Sequence, residues 1–439
     1  MSAPELSPAA EAASSRLSVR VTALCWVLIL LDGLDLFVYG ATLPGVLADK
    51  GFGLTAVTGG TIGSLTTFGM MLGALASGVI TDRIGRRKII LTGVVLFSLA
   101  SAACALAPSV EFFGGARFVA GVGLGGLLPS AIAMVMEYAP PWRKNLAVTV
   151  VMTAHQAGGA LAGALGMVIV ESLGWRSVYW IGAVPIVVVL PVVAVMLPES
   201  LTFLLAKGKT ERARAIADRF SVSLDAFAPE PGPERRGGLR GLFAPSVRMT
   251  TLLFWVASFA GLLLVYGVNT WLPTMMRANG YNLGSAISFL LVINVGGIAG
   301  MLVAGRLADR FGSRPVAITW FALTAVGVGL LALKMPLLVT YVVVFLTGGW
   351  LFSAQTLIYA SVGAYYPADS RATALGWVSG VGRLGAVFGP WLGGILVAGG
   401  LSALGFGVFA LAGLLGAVMV SLVRRLPKPV ALPRRIQHA

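Results

Sequence analysis

GVITDRIGRR, residues 78–87, returns 227 positions later as GRLADRFGSR, residues 305–314, so the pattern Gly-x3-Asp-Arg-x-Gly-x-Arg occurs twice. The likeness extends outward from both copies. Trp26 to Pro44 aligns without gaps on Trp255 to Pro273, and Gly51-Phe-Gly-Leu on Gly280-Tyr-Asn-Leu, at an offset of 229. Downstream, Arg143 answers Arg371 at an offset of 228. Self-similarity at a fixed offset marks a chain assembled from two copies of one structural unit.

The units are membrane bundles. Of the 439 residues 57% are hydrophobic and only 11% charged, whereas about a quarter of a soluble domain is charged. Apolar windows long enough to cross a bilayer fall at about 21–47, 56–81, 89–108, 112–138, 146–171 and 176–197, then at about 249–276, 283–308, 315–335, 337–366, 373–398 and 401–423. The division is therefore 1–197, a polar linker over 198–248, and 249–439. The net charge of +15 would suggest nucleic acid if it formed a patch, but the basic residues recur in short clusters between apolar runs. With both termini in the cytoplasm, all Lys and Arg fall inside except Lys50, Arg176, Arg277 and Lys334, with Arg117 and Arg383 within spans. The positive-inside rule selects that orientation, in a bacterial inner membrane. The first apolar segment is too long and too acidic for a cleaved signal peptide. Cys25 and Cys104 both lie in apolar runs, so neither a disulfide nor a metal site is expected.

A six-plus-six parallel repeat with a basic Gly-Asp-Arg turn after the second span of each half resembles the major facilitator superfamily. The resemblance implies twelve helices in two pseudo-symmetric bundles that rock about a site near the midplane. Small residues such as Gly78 let helices approach closely before the turn at Gly85. Asp82 can accept from a neighbouring helix N-terminus, and Arg83, Arg86 and Arg87 can bridge to acids. The resemblance implies that these contacts, with Asp309, Arg310 and Arg314 in the second copy, latch the cytoplasmic side when the cavity faces outward. Glu137, Arg143, Glu199 and Arg371 lie on the same side and are expected to join the latch. The competing reading is a topology signal alone, which would need the basic residues but neither Asp82 nor Asp309.

Ionisable groups inside the spans are the functional signal, because a charge at bilayer depth costs roughly 2.5–3.5 kcal/mol even on lenient scales. Spans three, six, nine and twelve carry nothing more polar than Ser, Thr or Cys, and so are expected at the periphery. The others are marked by Asp32, Asp35 and Tyr39 in span one, Arg117 in four, His155 and Gln156 in five, Tyr266 and Asn269 in seven, Asn294 in eight, Trp350, Gln355 and Tyr359 in ten, and Arg383 in eleven. Asp32 and Asp35 align with Gly261 and Leu264, and Arg117 with Phe345, while His155 aligns with Arg383 on the pseudo-symmetric helix. The acids thus belong to the first half and an unpaired cation to the second. Formal charges of Asp32, Asp35, Arg117 and Arg383 cancel. One aspartate is expected to reach Arg117; the other, desolvated beside a like charge, is a candidate proton carrier. The competing reading is a pair of acids capping a helix break at Gly33. Arg383 wants an anion, and its planar fork suits a carboxylate; carbonyls freed by its Gly-rich helix are the alternative partner. His155 reads equally as a contact or as a packing residue. Tyr39, Tyr266, Trp350 and Tyr359 can stack on a flat ligand, although packing accounts for each alone. Gly121-Val-Gly123-Leu-Gly125-Gly126 lies within an apolar helix with no preceding strand, so close helix packing explains it rather than a dinucleotide.

Leu31-Asp32-Gly33-Leu34-Asp35, with the aromatic, Gly and Pro residues after it, is similar to the first span of the aromatic acid:proton symporter family. RFVAGVGLGGLLPS at 117–130, Pro198-Glu199-Ser200, and YPADSRATALGWVSGVGRLGAVFGP at 366–390 support the match. Relatives of that kind import benzoate, hydroxybenzoates, protocatechuate, hydroxyphenylpropionates or muconate. The resemblance implies proton coupling through Asp32, Asp35 and Arg117, and a substrate carboxylate on Arg383. A monomer working in the bilayer by alternating access, with a proton and a small aromatic carboxylate as its partners and no cofactor, is the expectation. The alternatives are a proton-coupled drug exporter, disfavoured by the cation, and an importer of a sugar or non-aromatic organic acid, which Gln156, Asn269, Asn294 and Gln355 would suit. A transport-dead receptor lacks a signalling domain, and an enzyme lacks a convergent nucleophile, base and metal set.

Overall fold

The structure, a computed structural model, describes residues 8–140, 143–220, 247–366 and 368–423, with Leu224, Leu242, Phe243 and Pro245 between them. Among the described residues twelve helices are long and apolar enough to cross a membrane. In the first half these are Ser15–Ala48, Ala56–Ile84, Arg86–Ala105, Val110–Tyr138, Leu146–Leu173 and Trp175–Met196. In the second they are Arg248–Ala278, Leu283–Phe311, Ser313–Leu330, Leu337–Tyr365, Thr373–Ala398 and Leu404–Leu422. Short helices Leu201–Ala206 and Thr210–Phe220 follow span six; 225–241 of the polar stretch lie outside the described residues.

Local chemistry sets the helix ends. Thr55 and Thr58 form a reciprocal capping box at the start of span two, and Ser109 and Asn282 cap spans four and eight by accepting a backbone N–H. These caps satisfy donors that have no partner within the helix. Gly85 (φ 98°) and Gly312 (φ 89°) make the Gly-Asp-Arg turns, in a backbone region where a side chain would be strained. Span four breaks at Gly126 into Val110–Gly125 and Leu127–Tyr138. No sequence signal singled out that break among the four neighbouring glycines.

Spans one and five, two and four, seven and eleven, and eight and ten are the principal packed pairs within the halves. The halves meet where span two packs on eleven, five on eight and one on seven. Spans three, six, nine and twelve pack on helices of their own half. The Gly121–Gly126 run is a packing surface: an added Cβ at Gly123 would meet Gly93 O at 2.9 Å, and one at Gly126 would meet Ser77 Cβ at 2.9 Å.

The interface between the halves is closed at one end only. Away from the Gly-Asp-Arg turns, Ser64 Oγ donates to Val387 O at 2.6 Å, and a Cβ at Gly60 or Gly63 would collide with Pro390. Gly163 lies as tightly against Leu291. At the basic end a Cβ added at Gly78, Gly305, Gly376 or Gly380 would meet nothing within 4 Å. The close approach expected at Gly78 is therefore not made in this conformation, where no neighbouring atom covers that position.

Candidate functional site

Span one runs as continuous helix through Gly33, so the aspartates do not cap a break. Gly33 is instead where the backbone of His155 in span five presses on the helix; a Cβ there would fall on the His155 carbonyl. At 3.6 residues per turn, side chains three apart diverge by about 60°, and the two carboxylates consequently enter different surroundings.

Asp35 is sealed with Arg117. Arg117 Nη1 donates to Asp35 Oδ2 at 2.9 Å and Nη2 to the Asp35 carbonyl at 3.2 Å, with side-chain exposures of 0% and 2%. The guanidinium lies 5.7 Å from the centroid of Tyr39 and 5.9 Å from that of Tyr179, and Tyr179 meets Thr42 of span one at 3.1 Å. Excluded from water and held by one bond between opposite charges and a second to the backbone carbonyl, this pair is fixed. Tyr39 belongs to it: its hydroxyl donates to Gly59 O at 2.5 Å and its ring packs on Phe113. It also edges a narrow crevice of about 10 Å³ between spans one, two, four and seven.

Asp32 is also fully buried, yet neither carboxylate oxygen has a hydrogen-bond donor. Among the described residues the titratable group found within 4 Å of it is His155, with Nε2 at 3.7 Å from Asp32 Oδ2, beyond hydrogen-bond length. Arg383 is half-buried, with Tyr266 OH at 3.5 Å as its polar contact. The charge of Asp32 acts on it across the gap between the halves, and the hydroxyls of Tyr266 and Tyr359 act from within its own half. Phe37, five residues on from Asp32, meets His155 edge-on at 5.1 Å and Phe352 of span ten at 6.5 Å. Carboxylate, imidazole and guanidinium thus converge beside an aromatic wall. This arrangement can take up a proton on one side and an organic anion on the other.

The remaining polar residues divide. Asn269 and Asn294 bond one another across spans seven and eight, and Gln355 Nε2 donates to Ser258 Oγ at 3.1 Å. Tyr359 lies on the face of its helix that carries Phe352, about 20° away, whereas half-buried Trp350 is about 160° from Phe352. Trp350 therefore turns away from the cluster, and its expected stacking role is not one its helix face allows. Gln156 shares the side of span five that meets span eight, with its Oε1 buried and unpartnered.

The Major Facilitator Superfamily model matches residues 25–310 and again 293–438. The chain belongs to the major facilitator superfamily. It is 34% identical to the benzoate transport protein of Acinetobacter baylyi, over 94% of this chain and 91% of that protein. It is 36% identical to the gentisate transporter of Corynebacterium glutamicum, over 94% and 89%, and 34% identical to the 3-(3-hydroxy-phenyl)propionate transporter of Escherichia coli, over 94% and 96%. In fold it resembles the xylose transporter XylE of Escherichia coli in a partially occluded inward-open conformation (TM-score 0.75, 18% identity, covering 93% of this chain and 98% of that one). It is a multi-pass membrane transporter, and not an enzyme.

Within this superfamily member the two Gly-Asp-Arg turns differ in their surroundings. In the first half Glu199 Oε1 accepts from the backbone N–H of Arg87 and of Ser200, both at 3.0 Å. Ser200 Oγ donates to Glu137 Oε2 at 2.6 Å and accepts from Arg86 Nη1 at 2.6 Å. Arg86 pairs with Glu137 at 3.6 Å, and Arg87 reaches the Ala194 carbonyl. In the second half Arg314 bonds the Ser421 carbonyl at 2.5 Å, Arg371 the Tyr366 carbonyl at 3.3 Å, and Arg310 lies over Phe311. Asp82, Arg83 and Asp309 are exposed at the open end, and Arg143 edges a groove beside span one. The expected joint latch is thus not one set in this conformation: Arg86, Arg87, Glu137 and Glu199 are linked inside the first half, while Asp82, Arg83 and Asp309 are exposed.

Sequence reasoning missed Phe37, Phe352, Tyr179 and Ser200. The first three looked like ordinary apolar content. Ser200 stood in the quoted Pro-Glu-Ser motif and could have been read as the hydroxyl linking its two acidic neighbours.

Proposed function

We propose that the protein takes up an aromatic carboxylate together with a proton, across a bacterial inner membrane, by alternating exposure of the site between its halves. The observation that carries this reading is Asp32, a fully buried carboxylate without a hydrogen-bond donor. Such a group is stable in the ionised form only with a partner, and otherwise holds a proton. Arg383 is the cation within electrostatic reach across the gap. Protonation of Asp32 releases Arg383 for the anion of the substrate, and loss of that proton restores Asp32 as a competitor that helps expel it. His155, 3.7 Å from Asp32, passes the proton in this reading. The aromatic relatives named above and the Phe37–Phe352 wall support a ring as the body of the substrate. Asp35 and Arg117 hold span one in register beneath the site.

With the Lys- and Arg-rich turns in the cytoplasm, the conformation described is inward-facing. Closure at that end brings the exposed faces of Gly78 and Gly305, with Asp82 and Asp309, against the opposite half as the switching latch, while the protein works as a monomer. One proton with one monoanion is electroneutral, so uptake follows the pH gradient and responds weakly to membrane potential.

The test is uptake of labelled benzoate, 4-hydroxybenzoate, xylose and a cationic dye into proteoliposomes with an alkaline interior. The acids should accumulate, with accumulation abolished in Asp32→Asn and affinity lost in Arg383→Ala. Accumulation of xylose alone, expulsion of the dye, or wild-type accumulation in Asp32→Asn would refute the assignment.

A further inference from the structure

The asparagines of spans seven and eight form a chain of hydrogen bonds whose direction is fixed at both ends. The Val265 carbonyl can only accept, so Asn269 gives it Nδ2, at 2.7 Å. The oxygen of Asn269 is thereby turned to Asn294 and accepts from its Nδ2 at 3.2 Å. The same Nδ2 donates to the Leu290 carbonyl at 2.8 Å. Flipping either amide would set oxygen against oxygen, so the network assigns both. What remains is Asn294 Oδ1, an acceptor on a residue of 0% exposure with no partner. A buried acceptor in this state is destabilising until a donor reaches it.

The position of this oxygen gives it meaning. It lies over Gly159 of span five beside the ring of Phe37; a Cβ at 159 would come within 2.6 Å of both Asn294 Cγ and Phe37 Cδ2. Phe37 is the residue that also meets His155 and Phe352. The lone acceptor therefore borders the aromatic wall, on a different helix and in the other half from the Asp32–His155 pair.

We infer that Asn294 Oδ1 accepts a hydrogen bond from a hydroxyl on the ring of the substrate, which makes the transporter selective for hydroxylated aromatic acids over the bare ring. The inference rests on the reading that an aromatic carboxylate binds at Arg383. Asn269 is a positioning residue, because it holds the Asn294 amide with its oxygen toward the ring. A site that offers a buried acceptor to a hydroxyl discriminates against analogues that leave it unpaired.

Binding to the purified transporter, measured by calorimetry, decides it. The ligands are benzoate, 3- and 4-hydroxybenzoate, and 3- and 4-fluorobenzoate, fluorine being a small substituent that cannot donate. At least one hydroxy acid should bind about tenfold more tightly than its fluoro counterpart and than benzoate. Asn294→Leu should erase that ratio, bringing the hydroxy acid down to the affinity of its fluoro counterpart. Equal binding of hydroxy and fluoro acids by the wild-type protein, or a ratio that survives Asn294→Leu, overturns the inference. The ligand series needs no variant, so it decides the question even if Asn294→Leu fails to fold. Loss of benzoate binding in Arg383→Ala reports on the carboxylate reading separately, and failure of every aromatic acid to bind overturns both.

Discussion

Asp35 and Asp32 stand three residues apart on one helix, equally shut away from water, in opposite situations. Asp35 is clamped by Arg117 through its carboxylate and its carbonyl, in a pocket of tyrosines wholly inside the first half. Asp32 has a histidine just beyond bonding distance and an arginine across the gap between the halves. A buried charge that owns its partner is structure; one that shares its partner with whatever enters the gap is a switch. The repeat supports the distinction, since neither acid has a counterpart in the second half and the cation facing Asp32 comes from there.

The largest effect that can break this contrast is Arg117→Leu. It strands Asp35 without a counter-charge, which costs about 3–5 kcal/mol for a buried pair. The melting temperature should fall by several degrees and uptake should vanish, and an unchanged melting temperature would show that the pair is not buried as described. Next is Arg383→Ala, which removes a charged hydrogen-bonding group worth about 1.5–3 kcal/mol to a bound carboxylate. Benzoate affinity should drop about tenfold to a hundredfold with little change in thermal stability, because Arg383 is half-buried beside a hydroxyl. The sharpest comparison pairs Asp35→Asn with Asp32→Asn. The first should lower the melting temperature; the second should leave it unchanged or raise it, since it deletes a buried charge that has no donor. Two destabilised variants would mean that Asp32 has a structural partner after all. The smallest effect separates the two Gly-Asp-Arg environments. Glu199→Gln should destabilise by about 1 kcal/mol through its lost charged acceptor, whereas Asp82→Asn should leave stability untouched and slow only transport.

The fold was legible because its evidence is redundant: twelve apolar windows, a doubled turn and a gap-free repeat all encode one architecture. Polarity marked most of the spans that line the interface, since a bilayer tolerates strong polar groups only against protein or water, but it left out span two, which packs on span eleven through small residues. The depth of Arg117 in span four was enough to pair it with a span-one acid, but which acid depended on a 60° difference in direction that a string of letters does not weigh. Tyr39 and Trp350 could not be told apart for a related reason. Both are aromatics at plausible depth, yet one is held against Arg117 and the other turns away from the cluster. Phe37 and Phe352 carried no signal, because an apolar ring in an apolar helix is the background. The separation of the basic ends was illegible for a different reason: a sequence describes every conformation of the cycle at once.

The central claim is that Asp32 takes up the proton that admits the anion to Arg383. Adding benzoate to the detergent-solubilised transporter in weakly buffered solution with a pH-sensitive dye measures that proton directly. The account predicts about one proton taken up per benzoate bound by the wild-type protein, and none by Asp32→Asn while it still binds. Undiminished proton uptake by Asp32→Asn would contradict it.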